Sequence, residues 1–408
     1  MRGFLAVALL LIAGAARSHI PSARALAGGS DYLYLWTGSA DTTAPDFLAV
    51  LDVRPDTGRY GALVTTLPVP GLQNRPHHTE HAMPADRQLF ANGFASGQSF
   101  IFDLRDAAHP RLAAKFGDQA GFSHPHSFLR LPNGNVLATF QMSHDAAGMA
   151  PGGLVEMTPA GQVVRSSPAL AAGVPRGLRP YSGAIVPALD RIVTTTTDMD
   201  KNSTYPANQL QIWRLSDLKL LHTITLPPGP RQNESHHTAE PRLLADGRTV
   251  MVSTFNCGLY LLEGLTGDAP SGRLVASFPE RPETYCAIPV VAGHYWITTV
   301  PSIPGVVSLD IADPAKPREV SRVSLDPADV PHWISLEPST RRLVITGYGA
   351  LANRVLIAMF DSATGALALD RRFRESGADR PGFAMSGRTW PHGGANPGIP
   401  HGAVFSRP

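Results

Sequence analysis

HSFLRLPNGNVLATF, residues 126–140, sets two apolar runs around Asn133-Gly134. Asn-Gly between apolar runs is a strong short-range signal for a β-hairpin, because both central residues of the tightest turns need positive φ. The same phrase recurs along the chain. HTEHAMPADRQLFANGF begins at His78, SGAIVPALDRIVTTTT at Ser182, and HTAEPRLLADGRTVMVSTF at His237. CAIPVVAGHYWITTV follows at Cys286, HWISLEPSTRRLVITGY at His332, and a truncated HGAVFS at His401. The starts lie at intervals of about 46 to 69 residues, the period of a four-stranded propeller blade with loop insertions.

The seventh copy supplies a single strand, and the N-terminal part of the chain supplies three apolar runs, residues 31–38, 47–53 and 60–69. Joining them completes a seventh blade. The expectation is therefore an all-β, seven-bladed β-propeller, closed by N-terminal strands pairing with the C-terminal strand. Ring closure leaves no long unpaired sheet edge, which open β-sheets must otherwise protect. Composition agrees: 38 Gly, 37 Pro and 17% charged residues in 408 describe a turn-rich chain, and 43% hydrophobic residues suffice for a large core.

Residues 1–27 read as a cleaved signal peptide. Arg2 precedes an apolar run over residues 4–16, and Ala25-Leu26-Ala27 offers a small-residue cleavage site. The run is about 13 residues, short of the ~20 that span a bilayer, so no membrane anchor is expected. Residues 28–408 then form a single propeller domain in the periplasm or outside the cell. A net charge of +2, with scattered Lys and Arg, argues against a nucleic-acid partner.

In a propeller blade the first strand lies next to the axis, so the aligned starts should gather at one mouth of the channel. They carry His78, His126, His237, His332 and His401, five of the 15 histidines, while Ser182 and Cys286 break the ring. Neutral imidazole binds copper, zinc, iron and nickel, and the five are candidate metal ligands. His77 and His236 precede two of them in the matching phrases HHTE and HHTAE. Successive side chains on a strand point to opposite sides, so without a bend one of each pair should support the site from outside. Glu80 and Glu240 are candidates to accept the free ring N–H of a ligating histidine. Cys286 and Cys257 fall on the same face, either as a thiolate site or as a disulfide. Asp198, Met199, Asp200, Met142 and His144 lie in loops expected at that mouth. In the Gly- and Pro-rich stretch 372–400, Trp390 and His392 are candidates to cover the site.

DFLAVLDVRPDTGRYGALVTTLPVPGLQNRPHH, residues 46–78, resembles the selenium-binding protein family, which includes the bacterial copper-dependent methanethiol oxidases. Weaker likeness continues through FSHPHSFLRLPNGNV, the HHTAEPRLL region, PHWISLEPSTRRLVITGY and the terminal PHGAVF. The resemblance implies a β-propeller, a copper site, and oxidation of methanethiol with dioxygen and water to formaldehyde, hydrogen sulfide and hydrogen peroxide. By matching motifs it points to His77, His78, His126, His237 and His401; His332 comes from the repeat alignment. Gly61 follows Tyr60 where selenium-binding members carry a cysteine, so selenium binding there is not expected. The alternatives are a non-catalytic propeller that binds a metal or a partner, and a metal-assisted hydrolase or lyase. The expected small-molecule partner is a thiol.

Overall fold

The computed structural model describes residues 29–143, 151–170, 178–199, 205–281, 284–347 and 354–408. Seven antiparallel sheets follow one another along the chain, each running outward from an innermost strand. The first blade is composite: Gly398–Phe405 lies innermost, followed by Tyr32–Ser39, Pro45–Asp52 and Leu63–Leu72. Leu33 pairs with Phe405 and Gly38 with Ile399, so the two ends of the chain close the ring by hydrogen bonding. The second blade begins at Pro76–Thr79, the third at Phe122–Arg130 and the fourth at Gly183–Val186. Thr238–Leu243, Ala287–Ala292 and Pro331–Leu336 open the fifth, sixth and seventh. Among the described residues the one helical element is the single 3-10 turn Pro187–Leu189, and no helix is long and apolar enough to cross a membrane.

The inner and middle strands of a blade are buried on both faces, which is why strands such as Tyr32–Ser39 and Pro45–Asp52 read as nearly continuous apolar runs. Tyr32–Ser39 shows how this works. Leu33 and Leu35 enter the seam with the seventh blade, whereas Tyr34 and Trp36 enter the seam with the second. Alternation on a pleated strand thus feeds two cores at once. Among the described residues seven apolar clusters fill the seams between neighbouring blades, and the one at the seam of the first and seventh blades extends across the centre to Tyr181, Ala239, Phe255 and Ile288. Outer strands such as Arg111–Phe116 alternate between exposed and half-buried residues, as one solvated face requires.

The stretch 372–400 is not a lid over the channel. Its Phe383–Ala384 strand pairs with Arg354–Phe360 of the seventh blade. Trp390 and His392 both pack on Phe47, at 4.6 and 4.7 Å between ring centres, and His392 Nδ1 lies 2.7 Å from Thr66 Oγ1 on the outer strand of the first blade. Apolar burial at the closing seam outcompetes the expected position over the site.

Candidate metal centre

The site is built by an irregularity that the innermost strands share. Pro76 pairs with Gly93 and Thr79 with Ala91, so three steps on the inner strand oppose two on its neighbour, and His77 and His78 occupy the bulge. Pro125 and Phe128 oppose Phe140 and Ala138 in the same way around His126. His332 is extra between Pro331 and Trp333, and His401 lies in the irregular step between Pro400 and Ala403. In the fourth blade Tyr181 donates its N–H to Thr195 O at 2.8 Å, and Thr195 donates back to Ser182 O at 3.0 Å. A bulge bends the strand and re-aims its side chains, which supplies the bend that strict alternation denies. His77 and His78 therefore stack side by side in the channel, 4.4 Å between centres and 9° apart in plane.

Side chains on the second strands tie these bulges into a ring. Asn92 Oδ1 accepts from His78 N–H at 2.7 Å, and its Nδ2 donates across the seam to Pro125 O at 3.0 Å. Thr139 accepts from Ser127 N–H and donates to Tyr181 O, and Thr195 accepts from Ser182 N–H and donates to Ala239 O. Thr346 donates to His401 O, and Trp36 Nε1 donates to Asn92 O. Ser253, at the equivalent place in the fifth blade, turns instead to Glu240 O of its own blade. There a Cys257–Cys286 disulfide crosses the seam.

Six rings close on one another around the axis. His126 meets Tyr181 at 3.9 Å, Tyr181 meets Phe255 at 5.5 Å, and Phe255 meets His332 at 6.4 Å. His332 meets His401 at 4.8 Å, His401 meets His77 at 4.2 Å, and His77 returns to His126 at 4.8 Å. Two sets of ring nitrogens, His77, His78, His126 and His77, His332, His401, each lie within 4.8 Å of one another. His77 belongs to both.

Burial pushes His77, His78 and His401 well below the usual imidazole range, and their neighbouring rings push the same way. Burial likewise brings His126 and His332 down to about 4, although Glu240 pulls both upward. All five are neutral at pH 7, with lone pairs available for a cation. His126 shows the fit most directly. Its Nδ1 donates to Tyr181 O at 2.8 Å, which leaves a buried Nε2 with no hydrogen-bond partner among the described residues. A lone pair stranded in this way is costly unless a ligand meets it.

Other expected residues lie elsewhere. His237 stands two residues before the bulge of its blade, which falls at Ala239 and Glu240 between Thr238 and Pro241. The likeness of HHTAE to HHTE suggested a level alignment, but strand pairing sets the register. His237 has φ 55° and donates its N–H to Pro206 O at 2.8 Å, and its ring faces half-buried His236 at 6.4 Å, away from both nitrogen groups. Glu80 accepts from Phe90 N–H and pairs with Arg130 at 2.7 Å rather than with a histidine; burial pushes it up to about 7. The disulfide consumes both cysteine sulfurs, so neither is a thiolate ligand. Asp198 pairs with Arg179, Met199 packs on the central cluster and Met142 is half-buried, while His144 and Asp200 lie outside the described residues.

Glu240 does reach the channel. Its Oε2 accepts from Ser182 Oγ at 2.7 Å and from Arg242 at 2.6 Å, and lies 3.7 Å from His81 Nε2. Burial works to raise its pKa, but Arg242, His81 and Ser182 outweigh burial and hold it at about 2. His81, Tyr181, Phe255 and Arg242 are channel residues that sequence reasoning missed. Tyr181 left one signal, since it directly precedes the repeat start at Ser182 and a one-residue shift aligns it with His126. His81 left none, because its ring enters the channel by stacking on Trp333 at 4.6 Å, a contact between the second and seventh blades.

No protein-family model matches the chain. It is 25% identical over 325 residues to a methanethiol oxidase from a Hyphomicrobium species, covering 72% of this chain and 71% of that protein. Selenium-binding protein 3 of Arabidopsis thaliana is 28% identical over 122 residues, covering 26% of this chain and 25% of that one. Among solved structures, a hypothetical selenium-binding protein from Sulfolobus tokodaii superposes with a TM-score of 0.75 at 16% identity, over 95% of this chain and 96% of that one. A periplasmic gluconolactonase from Pseudomonas aeruginosa superposes at 0.59 with 13% identity, over 83% and 94%. At such identities the structural likeness speaks to fold alone.

Proposed function

We propose that this chain, a divergent member of the selenium-binding protein and methanethiol oxidase family, is an exported copper-dependent oxidase of a small thiol. The observation that carries this reading is the buried, neutral, all-imidazole centre around His77. Taking electrons from a thiol needs a redox centre, which zinc does not provide, and imidazole donors suit copper. His77, His126, His332 and His401 would hold the ion, with His78 beside them. Bound copper supplies the one-electron chemistry between thiol and dioxygen.

The chain's own groups set the conditions for that chemistry. Tyr181 Oη lies 3.2 Å from His78 Nε2 and Ser127 Oγ lies 3.0 Å from His78 Nδ1, so both nitrogens of that ring are engaged and its plane is fixed. His78 is thereby better suited to bracing the centre than to binding the ion. Tyr181 and Phe255 form the apolar side of the ring and exclude water beside the histidines. The overall conversion is methanethiol, dioxygen and water to formaldehyde, hydrogen sulfide and hydrogen peroxide.

Metal analysis of the protein purified from the periplasm, paired with an assay of peroxide and sulfide release from methanethiol, tests this. Copper with turnover is the expected result. Zinc without turnover would favour a metal-assisted hydrolase or lyase, and a metal-free protein indifferent to His77→Ala would end the metal reading.

A further inference from the structure

We propose that Glu240 is the counter-charge of the histidine centre: a carboxylate one layer beneath the rings that strengthens cation binding in proportion to the cation's charge. This rests on the reading of the centre as a metal site. Glu240 occupies the bulge of Thr238–Leu243 at the place that His78, Ser127 and Ser182 hold in their blades. It is fully buried, and its Oε1 has no hydrogen-bond partner among the described residues. Leaving a charged oxygen buried and unmet is among the costlier things a fold can do. A cation above it removes that cost.

The surrounding groups orient the charge. Arg242 lies two residues further along the same strand, on the same side and deeper in the channel, where it also donates to Pro289 O at 2.9 Å. The Glu240–Arg242 pair is therefore a dipole with its negative end toward the histidines. Arg242 also lies 3.1 Å from His81 Nε2, which is itself 3.7 Å from Glu240 Oε2, so the three side chains form one buried cluster. Ser182, which donates to Glu240, directly follows Tyr181, whose carbonyl oxygen accepts from His126 Nδ1, so the carboxylate is joined to the wall of the histidine centre through two adjacent residues. Inside a protein through-space charge is poorly screened. Glu240 is thus a positioning residue that acts on the site through its charge.

The test is a competition titration of the full-length metal-free chain with Zn(II) and with Cu(I), each against a chromophoric chelator. Glu240→Gln keeps an acceptor for Ser182 and Arg242, and Glu240→Met removes the same charge without an amide; thermal unfolding identifies whichever is folded. The expected result is an affinity loss of about 10- to 100-fold for Zn(II), a smaller loss for Cu(I), and recovery in Glu240→Asp. Glu156→Gln, in the outer part of the third blade, should leave both affinities unchanged. No loss, or equal losses for the two ions, overturns the proposal. Failure of the wild-type chain to bind either ion overturns the metal reading itself, and this proposal with it.

Discussion

The blades carrying His332, His401, His77 and His126 are consecutive around the ring, and the other three bring Tyr181, Ala239 and Ile288 into the central apolar cluster. Both arcs use the same bulged inner strand. The histidine arc joins its seams by side-chain hydrogen bonds from Thr346, Trp36, Asn92 and Thr139. The other arc needs a covalent link between its fifth and sixth blades. One backbone device thus serves two ends: where imidazoles fill the bulge the ring is a ligand set, and where apolar groups fill it the ring is a wall.

The largest expected effect separates the arcs at their shared residue. Because His77 belongs to both nitrogen groups, His77→Ala should weaken metal retention by at least about 100-fold, more than loss of an outer supporting group. His237→Ala should change retention less than about 2-fold, measured by elemental analysis after dialysis. A strong loss on removing His237 would mean that the metal sits elsewhere at the mouth.

Next comes the covalent seam. The disulfide closes a loop with a sequence separation of 29. Replacing Cys257 and Cys286 together by serine should cost about 2–4 kcal/mol and lower the melting temperature by several degrees. An unchanged melting curve would show that the two arcs are equally held without it.

Acid should act on the histidine arc. His126 and His332 have folded pKa values near 4, below the unfolded value of about 6.5. Above that unfolded value they contribute nothing; between it and about pH 4 the unfolded chain binds protons the folded chain refuses. Metal-free stability should therefore fall as pH drops through that window and level off below it. Glu80, raised to about 7, works in the opposite direction, so the sharp comparison is wild type against His332→Gln, whose pH dependence should be shallower. Parallel curves would refute the assignment.

The smallest effect concerns the junction of the arcs. Tyr181→Phe removes the hydroxyl 3.2 Å from His78 Nε2 and should cost about 0.5–1.5 kcal/mol while leaving metal retention within a few fold. Its signature would be a changed ligand-field spectrum of the loaded protein.

Much of this was legible in the chain. The hairpin at Asn133-Gly134 and its echoes determined seven blades, because turn chemistry and apolar alternation are local properties that short peptides already carry. Complementary ends determined ring closure, since one strand at the C-terminus and three near the N-terminus make one four-stranded sheet. The repeat also placed His78, His126, His332 and His401 at one end of their strands.

Only the tertiary structure decided the membership of the centre. A bulge adds a residue without changing composition, so nothing in HHTE or HHTAE reveals that His77 turns inward while His237 stays outside the ring. Tyr181, Phe255, His81 and Glu240 come together from three blades, through ring contacts, ion pairs and seam hydrogen bonds between residues far apart in the chain. The sequence by itself dictated which strands line the axis; the register of each strand against its neighbour decided which side chains meet there.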